Sequence, residues 1–240
     1  MSTPNLERRL KVLWVASAAV FLVVIGTFFW PHQPTPPKLA LDPALVNANA
    51  ATLAKLNMRK QVDHPVSKEQ QKTADGLASK DAPSFELPGV DGKTYTLAQL
   101  TEKKPLLIFF VEKNCPCCLG AKYYFDRMSD LYSNELNTVG IINADQAEAA
   151  KWVEETKATF PILKDPKLTV IKQFKAERGV YTTLVAQGGQ IAVAYPGYGK
   201  EMLNELSVKI AELVKVKPRP YKALSAPERL TSGCKFPEPK

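Results

Sequence analysis

Three of the four cysteines in this 240-residue chain lie within five residues, in the sequence NCPCC from Asn114 to Cys118. A continuous apolar run, PLLIFFV, precedes them and an amphipathic segment follows, so we expect them between a buried strand and a helix. Because proline is favoured at the first position of a helix, Pro116 is predicted to begin it, with Cys115 at the helix N-terminus. The helix dipole lowers the pKa of a thiol there, and the thiolate is the nucleophile.

Cys115 and Cys118 have the Cys-x-x-Cys spacing of a redox pair. Cys118 is three residues further on, so it returns to the same side of the helix and a disulfide between the two is permitted. Cys117 is only two residues from Cys115, and we expect it to project roughly the other way. The sequence therefore predicts that Cys115 attacks, Cys118 resolves and Cys117 is an extra thiol. A plain stabilising disulfide, or inert buried thiols, is the structural alternative.

The same cysteines could instead bind a metal ion. Structural zinc requires four ligands, but the two histidines of the chain, His32 and His64, lie outside the predicted domain. Three neighbouring thiols would best suit a soft ion such as Cu(I). We expect no metal and no cofactor other than the redox-active disulfide. A thiol-based metal or assembly chaperone is the non-enzyme alternative.

The fourth cysteine, Cys234, lies near the C-terminus in the sequence LTSGCKFPEPK. If Cys115 and Cys118 pair, Cys117 and Cys234 are left over, and leftover thiols in an oxidising compartment tend to pair or react. A disulfide between those two would close a loop of over a hundred residues, worth about 4–5 kcal/mol in the chain-entropy model. A free, solvent-exposed Cys234 is the alternative, and sequence alone does not determine the pairing.

Strands and helices alternate along residues 81–214. Residues 85–96 predict a hairpin that turns at Asp91 and Gly92. The hydrophobic pattern predicts further strands over 105–111, 137–143, 160–163, 180–187 and 190–195, and helices over 119–132, 145–157, 168–174 and 201–214. This alternation indicates an α/β fold, and the late hairpin turning at Gly188 and Gly189 indicates that one strand pair is antiparallel.

An uncharged apolar stretch, residues 12–30, is just long enough to span a bilayer as a helix. Trp14 and Trp30 lie near its ends and the basic sequence ERRLK precedes it, which predicts a cytoplasmic N-terminus and an extracytoplasmic remainder. The alternative, a cleaved signal peptide, would have a shorter apolar stretch and a small-residue cleavage site.

The predicted organisation has five parts. They are a cytoplasmic N-terminus (1–11), a transmembrane anchor (12–30), a Pro-rich linker and stalk (31–80) with a helix over 44–60, the α/β domain (81–214) and a Pro-rich tail (215–240). The formal net charge is +8, but the lysines are scattered along the chain. This pattern indicates a solvated surface rather than a nucleic-acid-binding patch.

Three segments resemble the thioredoxin-like redoxins, which include membrane-anchored thioredoxins and the alkyl hydroperoxide reductase/thiol-specific antioxidant group. They are DAPSFELPGVDGKTYTLAQL, PLLIFFVEKNCPCC and GVYTTLVAQGGQIAVAYPGY. The resemblance covers about Asp81 to Val214 and implies a thioredoxin fold, with a central mixed sheet flanked by helices. It also assigns the attacking and resolving roles to Cys115 and Cys118.

The chain departs from this family at several positions. Asn114 replaces the usual tryptophan and Phe109 replaces a frequent buried acid, so Glu112 becomes the candidate proton acceptor, with a surface glutamate as the alternative. The family's cis-proline, which faces the cysteine pair and shapes substrate docking, is Tyr181 here. Because a non-proline cis bond costs about 3–4 kcal/mol, we expect a trans bond before Tyr181. This loss leaves the sulfurs more open to a third ligand.

The peroxidase branch of the family needs Pro-x-x-x-Thr-x-x-Cys, and residues 111–114 before Cys115 supply neither residue. The sequence therefore predicts a membrane-anchored, extracytoplasmic thiol–disulfide oxidoreductase, in the periplasm or at the cell surface. Its expected partners are protein thiols and disulfides and an unidentified redox partner that recycles it. The second enzyme hypothesis is a thiol peroxidase with Cys115 as the peroxidatic cysteine.

Overall fold

The computed structural model describes residues 64–221, 223 and 225–238. The predicted transmembrane anchor (12–30) and the predicted stalk helix (44–60) lie outside these residues. In the described part of the chain, no helix combines the length and the apolar character needed to cross a membrane.

The described residues form short strands and helices that alternate as the sequence predicts. The strands are β1 (Glu86–Pro88), β2 (Thr94–Thr96), β3 (Leu106–Val111), β4 (Asn137–Ile142), β5 (Ile162–Lys164), β6 (Tyr181–Val185) and β7 (Ile191–Tyr195). The helices are α1 (Lys68–Asp75), α2 (Leu97–Thr101), α3 (Pro116–Leu131), α4 (Gln146–Thr156), α5 (Thr169–Gln173) and α6 (Lys200–Val214).

The central sheet has five strands in the order β5-β4-β3-β6-β7. Strand β3 lies in the middle, parallel to β4 and antiparallel to β6, while β6 and β7 form the predicted late hairpin. A separate two-stranded sheet pairs β1 with β2 in antiparallel register. The predicted α/β fold with a mixed sheet flanked by helices is therefore confirmed.

Strand β3 is buried on both faces, as its unbroken apolar sequence predicts. Its odd-numbered side chains, such as Phe109, pack into a cluster with α3, α4 and α6. Phe109 stacks on Phe125 of α3, with ring centroids 4.4 Å apart. Its even-numbered side chains, such as Phe110, pack into a second cluster with the β1–β2 hairpin, α2 and α5. The end of β3 is thereby held from both sides directly before the cysteines.

Both ends of the described chain pack on the domain. Helix α1 begins with a capping box between Ser67 and Gln70, and it buries Ala74 completely. Beyond α6 the tail runs along α3, where the Tyr221 hydroxyl donates to the Tyr124 carbonyl oxygen at 2.6 Å. Phe236, near the end of the tail, is also buried. Segments outside residues 81–214 therefore contribute to the core.

Candidate redox site

Cys115 lies at the junction between strand and helix that the sequence predicts. Strand β3 ends at Val111, and Cys115 is the N-cap residue of α3, with an extended backbone. Pro116 occupies the first turn of the helix, where its missing N–H leaves no donor unpaired. The Cys115 side chain is only 1% exposed. The predicted position of Cys115 at the helix N-terminus is confirmed, and in this conformation its sulfur is covered.

The Cys115 sulfur is surrounded by hydrogen-bond donors. The thiols of Cys117 and Cys118 donate to it, and so do the backbone N–H of Cys234, at 3.1 Å, and the Cys234 thiol. These donors, led by the Cys117 thiol, lower the pKa of Cys115 well below that of an ordinary cysteine, against the opposing effect of burial. Hydrogen bonds to a charged group stabilise that charge. This environment therefore favours the thiolate form at Cys115 over the thiolate forms of its three neighbours.

Cys117 does not point away from Cys115, so that prediction is wrong. Its thiol donates a hydrogen bond to the Cys115 sulfur, which raises the pKa of Cys117. The helical spacing of side chains does not apply between these residues because Cys115 has extended rather than helical backbone angles. The extra thiol is therefore part of the site and keeps its proton.

Cys118 lies on the inner side of Cys115 and is completely buried. Burial raises its pKa, as does the hydrogen bond that it donates to the Cys115 sulfur. The loop before β6 contacts it closely, since a Cβ atom on Gly179 would lie 2.7 Å from the Cys118 sulfur. Gly179 is thus required by close packing, and it is a site residue that the sequence analysis did not single out.

Glu112 is buried beside the cysteines, so the alternative of a surface glutamate is wrong. It is 7% exposed, and its carboxylate accepts hydrogen bonds from the Asn114 backbone N–H at 3.0 Å and the Asn143 side chain at 3.4 Å. Burial is the largest cause of its raised pKa, to which the negative charge of Cys115 adds. A carboxylate with a raised pKa next to thiols is suited to accept and return a proton.

Tyr181 lies on the opposite face of the sheet from the cysteines. The peptide bond before it is trans, as predicted. Its ring packs edge-on against Phe110, with centroids 5.9 Å apart, in the cluster that contains none of the site cysteines. Tyr181 is therefore a core residue and does not face the cysteine pair as the family's proline does. Gly179 and Val180 lie on the side of the cysteines instead.

Cys234 is brought to the site by the tail, which covers the outer side of Cys115. Gly233 approaches so closely that a Cβ atom there would lie 2.9 Å from the Cys115 sulfur. All four cysteines are unpaired, and Cys234 is half-buried rather than exposed. Cys234 contacts the sulfur of Cys115 through a hydrogen bond.

The metal alternative gains no support from the part of the chain described here, which contains no group of three or more His, Cys, Asp or Glu side chains placed to hold an ion. The arrangement is instead a cysteine with a lowered pKa surrounded by three cysteines with raised pKa values and by a buried carboxyl. Such a group can exchange with the disulfide of another molecule, which is reduced as the protein's own disulfide forms.

The AhpC/TSA family model matches residues 78–194. A Mycobacterium tuberculosis protein that carries the name peroxiredoxin is 28% identical over 145 residues, which cover 53% of this chain and 92% of that protein. The thiol–disulfide oxidoreductase ResA of Halalkalibacterium halodurans is 25% identical over 140 residues, which cover 58% of this chain and 77% of ResA.

Solved structures give the same fold. A Bacteroides thetaiotaomicron protein named as a protein disulfide isomerase superposes with a TM-score of 0.53 at 20% identity, over 57% of this chain and 90% of that one. A Chlorobium tepidum protein named as the thiol:disulfide interchange protein DsbE superposes with a TM-score of 0.53 at 19% identity, over 57% of this chain and 97% of that one. The family match and these relatives support a thioredoxin-like redoxin fold for this chain and are consistent with a redox enzyme.

Proposed function

We propose that this protein is a membrane-anchored, extracytoplasmic thiol–disulfide oxidoreductase that exchanges disulfides with other proteins through Cys115 and Cys118. The observation that carries the proposal is the Cys115 sulfur at the N-terminus of α3, which accepts hydrogen bonds from neighbouring thiols and from a backbone N–H. This environment stabilises a thiolate, which is the form that attacks disulfides. Cys118 lies directly beneath it as the second thiol of the pair.

The exchange proceeds in two steps. In the reducing direction, the Cys115 thiolate attacks a disulfide of the partner protein, forms a mixed disulfide and releases one partner thiolate, which takes up a proton. Cys118 then loses its proton to Glu112 and attacks the Cys115 sulfur. The Cys115–Cys118 disulfide forms, and the second partner sulfur leaves and is protonated. The same steps in reverse oxidise a partner dithiol, and an unidentified redox partner restores the starting state.

The proposed location rests on the sequence of the N-terminal region. Residues 12–30 carry no charge, and basic residues precede them. A reporter fused after Lys240 is expected to be active only outside the cytoplasm. Activity of this fusion in the cytoplasm would show that the orientation is the opposite of the one proposed.

The exchange activity is tested with the reduced full chain, purified in detergent, and a protein disulfide such as that of insulin. The full chain should catalyse reduction of the disulfide by dithiothreitol, and Cys115→Ser should abolish catalysis. Lys103→Ala is the matched surface control, because Lys103 is exposed in the turn before β3, at the opposite end of that strand from the site. Undiminished catalysis by Cys115→Ser would refute the assignment.

A thiol peroxidase is the second candidate function, favoured by the match of residues 78–194 to the AhpC/TSA family model. In that reaction the Cys115 thiolate attacks a peroxide oxygen, the O–O bond breaks, the other oxygen leaves as an alcohol or water after protonation, and Cys115 becomes a sulfenic acid. A second thiol then condenses with the sulfenic acid to give a disulfide and water. Hydroperoxide consumption by the reduced full chain separates the two functions. A peroxidase would consume hydroperoxide rapidly and leave insulin disulfides unchanged, whereas the proposed oxidoreductase would do the reverse.

A further inference from the structure

The tail forms a short antiparallel pairing with the loop before β6, directly over the site. The Gly179 N–H donates to the Cys234 carbonyl oxygen at 2.8 Å, and the Gly233 N–H donates to the Gly179 carbonyl oxygen at 2.9 Å. The Arg178 Nε donates to the Gly233 carbonyl oxygen at 2.8 Å, and the backbones of Arg178 and Lys235 form an isolated antiparallel β-bridge. This pairing places the backbone and the thiol of Cys234 against the Cys115 sulfur from the outer side.

The two thiols that flank Cys115 differ in burial. Cys118 is completely buried on the inner side, whereas Cys234 is partly exposed on the outer side. Both donate a hydrogen bond to the same sulfur. Cys115 therefore has a potential disulfide partner on each side, one inside the core and one on the tail.

We propose that Cys234 is a second resolving thiol, which attacks mixed disulfides on Cys115 and yields an internal Cys115–Cys234 disulfide. The proposal rests on the function proposed above, because it needs a mixed disulfide on Cys115. The alternative partner at similar range, Cys117, is held in the first turn of α3 only two residues away. A bond from Cys117 to Cys115 would have to distort that turn, whereas Cys234 comes from a separate segment.

The reaction balances without a further reagent. The mixed disulfide joins Cys115 to one partner sulfur. The Cys234 thiol gives its proton to solvent and attacks the Cys115 sulfur, a Cys115–Cys234 bond forms, and the partner sulfur leaves as a thiolate that is then protonated. The two electrons from Cys115 and Cys234 have passed to the partner disulfide. Cys118 can next attack Cys115, forming the inner disulfide and freeing Cys234 again.

The electrostatics support this order of events. The pKa of the Cys234 thiol is raised to about 12, first by burial and then by the hydrogen bond and the negative charge of Cys115. Once Cys115 is in a mixed disulfide, it no longer carries a negative charge, and it no longer raises the pKa of Cys234. Burial, the largest cause, still raises the pKa of Cys234, but without the contributions from Cys115 the thiol is easier to ionise at the stage when it attacks.

The test uses the reduced full chain in detergent and the aromatic disulfide DTNB, which releases one coloured thiolate when Cys115 attacks and a second when a protein thiol resolves the adduct. Three variants are compared: Cys118→Ser, Cys118→Ser with Cys117→Ser, and Cys118→Ser with Cys234→Ser. We expect the second release in the first two variants. In the third it should slow by about a hundredfold or more, because an intramolecular thiol acts at an effective concentration of about 1 mM and protein is present at micromolar levels.

Peptide mapping identifies the disulfide that forms. Trypsin places Cys115 in the peptide 114–122 and Cys234 in the peptide 230–235, so a cross-link between them in the variant lacking Cys117 and Cys118 must join Cys115 to Cys234. The unmodified chain, quenched with acid at early times, should contain the same cross-linked pair of peptides. This second measurement needs no folded variant.

The outcomes separate the inference from the function beneath it. A stable adduct on Cys115 in Cys118→Ser, with the first thiolate released normally, overturns the role of Cys234 and leaves the oxidoreductase intact. Resolution that depends on Cys117 instead of Cys234 overturns it as well, as does recovery of Cys234 only as a free thiol from the unmodified chain. Absence of the first release in every variant and in the unmodified chain refutes the oxidoreductase itself.

Discussion

The two sides of Cys115 are built in different ways. On the inner side, Cys118 and Gly179 are held by α3 and by the loop before β6, within a cluster of fully buried side chains. On the outer side lie Gly233 and Cys234, which belong to the tail. Backbone hydrogen bonds join them to Gly179, and two further backbone hydrogen bonds, each 2.9 Å long, join Thr231 of the tail to Tyr198.

This difference determines which side can move. Displacing Cys118 would unpack the centre of the core, whereas lifting Gly233 and Cys234 breaks hydrogen bonds worth about 0.5–1.5 kcal/mol each and disturbs the neighbouring buried side chain of Phe236. Because Cys115 is only 1% exposed, a protein substrate reaches it only if one side opens. We infer that the tail is the side that opens, and that the inner side stays in place during the reaction.

The largest expected difference between the two sides concerns proton transfer. Cys118 is completely buried, and we proposed that it gives its proton to Glu112, whereas Cys234 is partly exposed and is expected to give its proton to water. We therefore expect Glu112→Gln to slow resolution by Cys118 about a hundredfold, within the range usual for loss of a general base. Resolution by Cys234 should not slow, because the negative charge of Glu112 raises the pKa of Cys234 and the substitution removes that charge. Both rates are read from the second thiolate released from DTNB. The rate of resolution by Cys118 is measured in a Cys234→Ser background, and the rate of resolution by Cys234 in a Cys118→Ser background.

The pH dependence gives an independent check on this role. Burial raises the pKa of Glu112, so the carboxyl stays protonated up to a higher pH than an ordinary glutamate and cannot accept a proton below that pH. The rate of resolution by Cys118 should therefore fall as the pH falls through this raised pKa, and Glu112→Gln should remove that titration. Equal slowing of both resolving thiols by Glu112→Gln would contradict the separate routes for the proton.

Two glycines allow a matched comparison of packing on the two sides. A Cβ atom on Gly179 would lie 2.7 Å from the Cys118 sulfur and 3.2 Å from the Glu112 backbone nitrogen, inside the core. Gly179→Ala should therefore destabilise the fold by about 1–3 kcal/mol, the usual cost of overpacking. A Cβ atom on Gly233 would lie 2.9 Å from the Cys115 sulfur and 2.9 Å from the Gly179 carbonyl oxygen, and we expect the tail to shift to admit it. Gly233→Ala should cost less stability.

Denaturant unfolding and alkylation together measure this comparison. Gly179→Ala should lower the unfolding midpoint more than Gly233→Ala does. Gly233→Ala should instead increase the rate at which iodoacetamide modifies Cys115, since the displaced tail uncovers the sulfur. If Gly233→Ala left the alkylation rate unchanged, the tail would not be the cover of Cys115.

The inner side could be predicted from the sequence because its determinants are local. The apolar run before Cys115, Pro116 after it and the spacing to Cys118 lie within a few residues of each other. The outer side depends on the pairing of Gly233 with Gly179, more than fifty residues apart in the chain. Nothing in the sequence LTSGCKFPEPK predicts which segment it pairs with, because edge pairing uses backbone groups that every residue carries. The sequence indicated that the tail could reach the site, but not which thiol it would meet.

Cys117 offers a smaller test, since it lies between the two sides and donates to the Cys115 sulfur. Cys117→Ala removes the donor, and Cys117→Ser keeps one. A hydrogen bond to a charged group is worth about 1.5–3 kcal/mol, and one pKa unit corresponds to about 1.4 kcal/mol. Cys117→Ala should therefore raise the pKa of Cys115 by about one to two units, and Cys117→Ser should keep it low.

The pH dependence of Cys115 alkylation, followed by peptide mapping, measures that pKa. In the unmodified chain the lowered pKa keeps the thiolate present as the pH falls well below the usual cysteine range, so alkylation should stay fast in mildly acidic solution. In Cys117→Ala the rate should begin to fall at a higher pH. Identical profiles for the alanine and serine variants would show that the Cys117 thiol does not set the pKa of Cys115.

The smallest expected effect belongs to Tyr181, where the family resemblance and the structure differ. Its hydroxyl is buried on the other face of the sheet and has no hydrogen-bond partner within the described chain. A buried polar group without a partner is destabilising, so Tyr181→Phe should leave the fold as stable or stabilise it by about 1 kcal/mol. Because the ring packs against Phe110 and not against the cysteines, both DTNB release rates and the alkylation rate of Cys115 should remain unchanged. A changed release rate in a normally folded Tyr181→Phe variant would mean that this position acts on the cysteines through the sheet, and that the two faces are not independent.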